Sequence, residues 1–343
     1  DYPRTEKTKE PSFTQNWLSN NKNKIAQLIV QAREINKFHG TFLSSIMKYQ
    51  VNGRIHGEIQ QLKSDTGGTV SGRLSMSNPN LQQVPARNKD FGPKIRSLFI
   101  PEEGYKWGSF DYSQQEPRMT VHYAASVGEG YEGSNELVSA YQNSSADFHQ
   151  TVADLVGIER TQAKTIGLGL MYGMGKAKLA LSLGVSKDEA DELIIKYNRK
   201  VPFVKKLSDR CKFAADEKGV IRTKKGRKCR FDMWETKDFG LHVAEKFDDA
   251  VAKYGKDNIK RAYTYKALNR LIQGSSADQT KQAMLDCYNA GHLPMLQIHD
   301  ELCFNVKDDN HANEIKKIME DAIEFKVPSV VDKGLGKSWG DAK

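Results

Sequence analysis

The stretch MLQIHDELCFNV, residues 295–306, constrains the chain more than any other. Leu296 and Ile298, then Leu302, Phe304 and Val306, recur at every second position. That period of two is the pattern of two half-buried strands joined by a tight turn. The turn is His299-Asp300-Glu301. Two adjacent acids at a hairpin tip repel one another unless they are solvated or hold a cation. Taken alone, the segment fits a plain charged turn as well as it fits a metal site.

A second acid stands in a related setting far away in sequence. A strand signal runs over 95–112, and within it Trp107–Phe110 can form a strand that delivers Asp111 at its end. Ser113-x-x-Glu116 has the form of a capping box, so a helix is predicted to begin at once. A carboxylate at a strand end, beside free backbone groups, suits a metal ligand and equally suits a helix cap.

The third segment is RTQAKTIGLGLMYG, residues 160–173. Arg160, Lys164, Leu168 and Tyr172 are spaced by four and share one drifting stripe of a helix. Two cations at one end, with an apolar and an aromatic residue at the other, match a molecule carrying a polyphosphate on a sugar–base. A surface helix with a snorkelling basic rim gives the same pattern. The glycines do not make a phosphate-binding loop of the G-x-x-x-x-G-K-[ST] type, because position 170 is Leu and position 177 is Ala. Gly167 and Gly169 weaken the helix by about 1 kcal/mol each and leave space on its face.

The three segments together say more than any one of them. Two acidic sites could meet on neighbouring strands and hold two divalent ions. A helix with cations at one end could present a nucleoside triphosphate to them. That is the inventory of two-metal phosphoryl transfer. The charge agrees: 52 Lys and Arg against 43 Asp and Glu give +9. A basic excess favours a polyanionic partner, although mild basicity also serves solubility.

The remaining sequence sets the frame. A length of 343 residues allows roughly two domain-sized units of ~150 residues each. No apolar run approaches the ~18 residues of a membrane span, and the first 25 residues lack a signal peptide's apolar stretch. Export and membrane insertion are disfavoured, so a cytosolic compartment is the default. Cys211, Cys229, Cys287 and Cys303 form no C-x-x-C pair, which argues against a zinc site and for reduced thiols. Helical spacing runs over 15–50, and a Gly/Ser/Asn/Pro-rich polar segment follows at 61–90. Helices return over about 135–215, with Gly184 ending one and Ser186 starting the next. Two short strands flank a basic turn in 219–233, and 264–290 is helical. The predicted fold class is a helix-rich α+β chain.

Five segments, in order, resemble DNA polymerase family A, the DNA polymerase I-like enzymes. SGRLSMSNPNLQQVP is similar to T-G-R-L-S-S-x-x-P-N-L-Q-x-[IV]-P, and DYSQQEPR to D-Y-S-Q-I-E-L-R. RTQAKTIGLGLMYG is similar to R-x-x-x-K-x-x-x-F/Y-G-x-x-Y-G, LNRLIQGSSAD to N-x-x-[IV]-Q-G-T-A-A-D, and QIHDEL to V-H-D-E-L. The style is that of a bacteriophage member, acting in the cytoplasm of an infected bacterium.

The resemblance implies a right-hand polymerase fold. An antiparallel-sheet palm would span 53–122 and 251–343, helical fingers 123–250 and a partial thumb 1–52. It implies template-directed addition of dNTPs to a primer 3′-hydroxyl. Asp111, Asp300 and the backbone carbonyl of Tyr112 would ligate two Mg²⁺ ions, with Mn²⁺ as a substitute, and Glu301 would be an auxiliary acid. Arg160, Lys164, His149, Gln114, Glu116, Leu168 and Tyr172 would line the dNTP site. Lys164 would donate a proton to pyrophosphate, and Glu116 would crowd the sugar 2′ position. Arg73, Asn80, Gln82, Arg96, Gln273 and His299 would contact primer–template DNA. Minor-groove acceptors shared by all base pairs would let some of these test pair geometry without reading sequence.

The chain also departs from the family pattern. Leu168 stands where Phe or Tyr is usual, which implies altered discrimination against 3′-deoxy analogues. Pro117 replaces an aliphatic residue and costs a helix hydrogen bond unless it lies in the first turn. Tyr265 stands where Arg is frequent and receives no catalytic role. TEKTKEPSF, residues 5–13, resembles thumb-tip sequence already under way, with no exonuclease acids before it. This implies a piece of a longer chain, or a separate polypeptide carrying the rest, and weak processivity for this chain alone. Two other readings stay in view. A single-subunit RNA polymerase shares the metal aspartates, but Glu116 and Glu301 speak for DNA. A catalytically silent nucleic-acid-binding subunit would not need Asp111, Asp300, Arg160, Lys164 and Tyr172 intact.

Overall fold

The computed structural model describes the chain except residues 1, 6, 7, 66, 86, 87, 89, 129, 130, 144–146, 239, 241 and 343, and the side chain of residue 143. The thumb-tip segment 5–13 and the polar segment 61–90 each lie partly outside the described residues.

The predicted helical run over 15–50 is broken into α1 (Gln15–Asn20), α2 (Lys24–Lys37), a wide turn over Phe38–Leu43 and α3 (Ser44–Lys48). The break has a local cause. Asn21 Oδ1 accepts from Asn23 N–H and Asn23 Oδ1 accepts from Ile25 N–H, so side chains satisfy the amides that a continuous helix would use. Short antiparallel pairs follow: β1 (Gln50–Val51) with β2 (Arg54–Ile55), and β3 (Glu58–Gln60) with β4 (Ser75–Ser77). The strand expected from residue 95 starts later. Gly92–Arg96 form α4, favoured by Pro93 in its first turn, and β5 spans Lys106–Tyr112.

The helical middle comprises α5 (Gln115–Ser126), α6 (Ser134–Asn143), α7 (Phe148–Val156), α8 (Arg160–Met171), α9 (Lys176–Leu183), α10 (Lys187–Lys200) and α11 (Pro202–Lys218). Gly184 ends α9 in the left-handed conformation, and Ser186 caps α10 in a full capping box with Glu189, as the sequence indicates. The basic hairpin is β6 (Val220–Arg222) with β7 (Lys228–Arg230). Next come β8 (Trp234–Thr236), α12 (Phe247–Tyr254) and β9 (Ile259–Arg261), with β8 paired to β9. The chain closes with α13 (Ala267–Asn289), β10 (Pro294–Ile298), β11 (Glu301–Val306), α14 (Asp309–Asp321) and β12 (Val331–Gly336).

One four-stranded antiparallel sheet, ordered β10-β11-β5-β12, brings residues 106–112 beside residues from the C-terminal end. Alternation along β5 sends Phe110 and Tyr112 into a core with Leu302, Phe304, Ala283 of α13 and Ile315 and Met319 of α14. Trp107 faces a second core with Cys303, Leu296 and Trp339. The helical middle encloses the third and largest core, built on Phe148, Ile166, Tyr197, Phe203 and Leu268.

A buried histidine ties α5 to the C-terminal segment. His122 is 5% exposed, and its Nδ1 accepts from Lys326 N–H at 3.1 Å. Burial, and then the Lys224 and Lys326 cations, lower its pKa to about 4. An unfolded histidine titrates near 6.5, so below that pH the unfolded chain takes a proton that the native site refuses. The contribution is complete above about pH 6.5 and shrinks as pH falls toward 4, by up to about 1.4 kcal/mol per pH unit. Urea melts of the parent chain lose stability from pH 6.5 to 5, and His122→Asn, which keeps an acceptor, loses roughly 1 kcal/mol less per unit. Equal slopes would contradict the assignment.

Candidate active site

Asp111 lies on β5 directly opposite Glu301 on one side and Asp332 on the other. Residues paired this way present their side chains on the same face of the sheet. Asp300 sits in the β10–β11 turn, and its carbonyl accepts from Tyr112 N–H at 3.4 Å. His299 takes the left-handed conformation at φ 57°, which closes the tight turn the sequence calls for. The two predicted metal acids are therefore brought together, with Glu301 beside them and Asp332 as a fourth carboxylate the sequence reading missed. Burial and then the charges of Asp300, Glu301 and Asp332 push Asp111 above the usual carboxylate range. Asp300 is raised too, chiefly by burial, with Arg73 and His299 opposing.

Gathered carboxylates with raised pKa call for a counter-charge. Among the described residues no group of three or more His, Cys, Asp or Glu is arranged to hold a metal by itself. A two-carboxylate set of hard oxygens still fits Mg²⁺. That ion keeps waters and takes its other ligands from phosphates more often than from an all-protein cage.

Above the acids stands a second cluster. Glu116 accepts from Arg73 Nη2 at 2.7 Å and from the Tyr172 phenol, and Gln273 lies close to that phenol. These bonds replace the predicted capping box. The residue ahead of α5 is Gln114 in the left-handed conformation, and Ser113 N–H goes to Val330 O at 2.8 Å. A helix with a distant partner for its first-turn acid gives up the local cap. Pro117 falls in the first turn, so it removes no helix hydrogen bond. Gln114 Oε1 accepts from Phe148 N–H at 2.9 Å, fixing the start of α7 beside His149.

The stripe on α8 is as predicted. Arg160 opens the helix and pairs with Asp147 at 2.5 Å, and Lys164 is exposed with no ion-pair partner among the described residues. Leu168 is half-buried against the helical core, and Tyr172 ends the helix. His149 is buried, with Nδ1 unpartnered among the described residues, and burial holds its pKa down at about 4. Asp147 escaped the sequence reading, although an acid before FHQ is the usual signature of a cap. It is both the N-cap of α7 and the counter-ion of Arg160.

Of the residues expected to contact DNA, Arg73 pairs with Glu116 and His299 lies in the acidic turn. Asn80 caps a short turn by accepting from Gln82 N–H at 3.1 Å. Gln82 Nε2 donates to Gln297 Oε1 at 2.9 Å, and Gln297 Nε2 donates to His299 O at 2.6 Å. Gln297, another residue missed, thus braces the acidic turn. Arg96 lies over the Trp339 ring at 4.2 Å, with its buried Nε unpartnered. In the basic hairpin, Arg227 turns inward to Asp278 at 2.6 Å, while Lys225, Lys228 and Arg230 remain exposed.

Comparison with known proteins agrees with this geometry. The model of DNA polymerase family A matches residues 1–341. The chain belongs to that family. A DNA-directed DNA polymerase of Pseudomonas phage M6 is 38% identical, the alignment covering 96% of this chain and 54% of the relative. A thermostable DNA polymerase I of Thermus filiformis is 30% identical, covering 99% of this chain and 39% of the relative. A solved POL domain of Pol1 from M. smegmatis, in complex with DNA primer-template and dNTP, superposes with a TM-score of 0.79 at 26% identity. That superposition covers 99% of this chain and 59% of the other. The fold is the helix-rich α+β right hand of family A polymerases. The chain spans about half the length of the phage relatives it matches. The expectation of a separate polypeptide gains no support from these comparisons. No helix among the described residues is long and apolar enough to cross a membrane.

Proposed function

We propose that this chain carries out template-directed DNA synthesis, adding dNTPs to a primer 3′-hydroxyl with release of pyrophosphate. The observation that carries the reading is Asp111, set in register between Glu301 and Asp332 and beside Asp300, in a site bounded by Arg73, Glu116 and Tyr172 at the end of α8. In this reading the sheet, with residues 53–122 and 251–343, is the palm, residues 123–250 are the fingers and residues 1–52 are part of the thumb.

Asp111, Asp300 and the Tyr112 carbonyl would hold the cations. When bound there, two Mg²⁺ ions, or Mn²⁺ in their place, lower the pKa of the attacking hydroxyl and offset charge on the departing pyrophosphate. Arg160 and Lys164 bind the triphosphate, Arg160 exchanging its bond to Asp147 for one to phosphate. Lys164, with no ion-pair partner among the described residues, supplies a proton to the leaving oxygen. His149 stays neutral at working pH and offers its unpartnered nitrogen to a phosphate. Glu116, pinned by Arg73 and Tyr172, closes the space beside the sugar 2′ carbon. Leu168 gives the sugar an aliphatic contact, and Tyr172 stacks on the base. Gln114 braces α7, and Arg73, Asn80, Gln82, Arg96, Gln273 and His299 face the duplex. The phage relatives support the cytoplasm of an infected bacterium as the setting.

Primer extension with dNTPs and rNTPs in competition tests this. The parent chain inserts the complementary dNTP, and Glu116→Ala raises rNTP insertion by roughly 10²-fold, the scale on which a pocket rejects a misfitting hydroxyl. Preferential rNTP insertion by the parent chain would favour the RNA polymerase reading, and no insertion at all the silent-subunit reading.

A further inference from the structure

Tyr265 occupies the short turn Thr264–Lys266 that leads into α13, and its side chain is 50% exposed. A lone exposed ring is ordinary; the setting of this one points to a ligand. Gly173, the residue after Tyr172, lies against it. A Cβ on Gly173 would stand 3.0 Å from Tyr265 Cδ2 and 3.2 Å from its carbonyl oxygen. Tyr172 directs its phenol toward Glu116, so Tyr265 flanks the opposite, backbone end of that residue. Tyr265, Asn269 and Gln273 follow at four-residue spacing, none of them buried, and Gln273 lies close to the Tyr172 phenol. Lys266 Nζ stands 5.4 Å from the Tyr265 ring centre and 4.9 Å from that of Tyr263.

We propose that Tyr265 is a stacking platform for the unpaired template base, with the Lys266 ammonium beside it for that nucleotide's phosphate. This rests on the reading of the chain as a templated polymerase. A nucleotide with its phosphates at the carboxylates and its sugar at Glu116 places its base at Tyr172. The templating strand then lies on the far side, where Tyr265 presents its ring. Every base has a π face, so such a platform holds any template sequence. Arginine, frequent at this position in the family, joins a flat face and a charge in one group. Here the two are divided between Tyr265 and Lys266.

The test is the affinity of the full chain for primer–template, by fluorescence anisotropy, with the first unpaired template position either a normal base or abasic. Tyr265→Ala weakens binding to the normal template about five- to a hundred-fold and leaves binding to the abasic one unchanged. Tyr265→Leu keeps apolar bulk without the π face and shows the same base-dependent loss. Tyr265→Phe restores the base-dependent affinity. Equal losses on both templates, or none on either, would overturn the platform. Failure of the parent chain to bind either template would overturn the polymerase reading itself, and the platform with it.

Discussion

Asp300→Ala lowers the rate of nucleotide insertion by at least about 10³-fold while raising the melting temperature of the metal-free chain by roughly 1–3 °C. The opposed signs follow from one geometry. Asp300 shares a site with Asp111, Glu301 and Asp332, and burial first and then these like charges raise the pKa of Asp111. Without a cation these groups repel, so deleting one relieves the fold. With a cation and substrate the same deletion removes a ligand. Sites that work often hold strain that the rest of the protein tolerates. Single-turnover kinetics and calorimetry in EDTA read the two halves separately. An Asp300→Ala chain that is less stable than the parent would show that Asp300 is held by structure and not by function.

Trp339→Ala costs about 3–5 kcal/mol of stability, the range for deleting a fully buried large aromatic. Trp339 is 1% exposed, stacks on Trp107 at 6.1 Å and meets Phe99 edge-on at 5.5 Å. Its backbone N–H goes to Phe99 O at 2.9 Å, which fastens the C-terminal segment to the stretch between α4 and β5. The indole also donates to Glu301 Oε1 at 3.3 Å and carries Arg96 over its face. Trp339→Phe keeps most of the packing and loses the N–H donor. It destabilises by roughly 1 kcal/mol and chiefly frees the Glu301 carboxylate. Denaturant melts of the two variants measure the difference. Equal losses would mean that the indole N–H, and not the ring's volume, dominates.

What was legible in the sequence was local or periodic. The alternation around His299-Asp300-Glu301 gave a hairpin because turn chemistry and burial agree there. Gly184 and Ser186 marked helix ends because caps depend on nearest neighbours. The stripe from Arg160 to Tyr172 needed only helical spacing. What was hidden depended on partners far along the chain. Ser113 and Glu116 have the form of a capping box, but Glu116 bonds Arg73 and Tyr172, 43 and 56 positions away. Asp332 joins the acids only through the register of β12 on β5. Nothing in VDKGLG announces that neighbour. Gln297 is a polar residue within an otherwise apolar strand, which hinted at a role without naming Gln82 or His299 as its partners. The break between α1 and α2 was visible in Asn20, Asn21 and Asn23, whose short polar side chains compete with the backbone, but periodicity alone ran through it.

Insertion of a single dNTP opposite a defined template base, by the parent chain and by Asp111→Asn under single-turnover conditions with Mg²⁺, tests whether the carboxylates at Asp111 and Asp300 carry nucleotide transfer. The parent chain inserts the complementary nucleotide, EDTA stops it, and Asp111→Asn is slower by at least about 10³-fold with duplex binding retained. Insertion by Asp111→Asn at the parent rate would contradict that role.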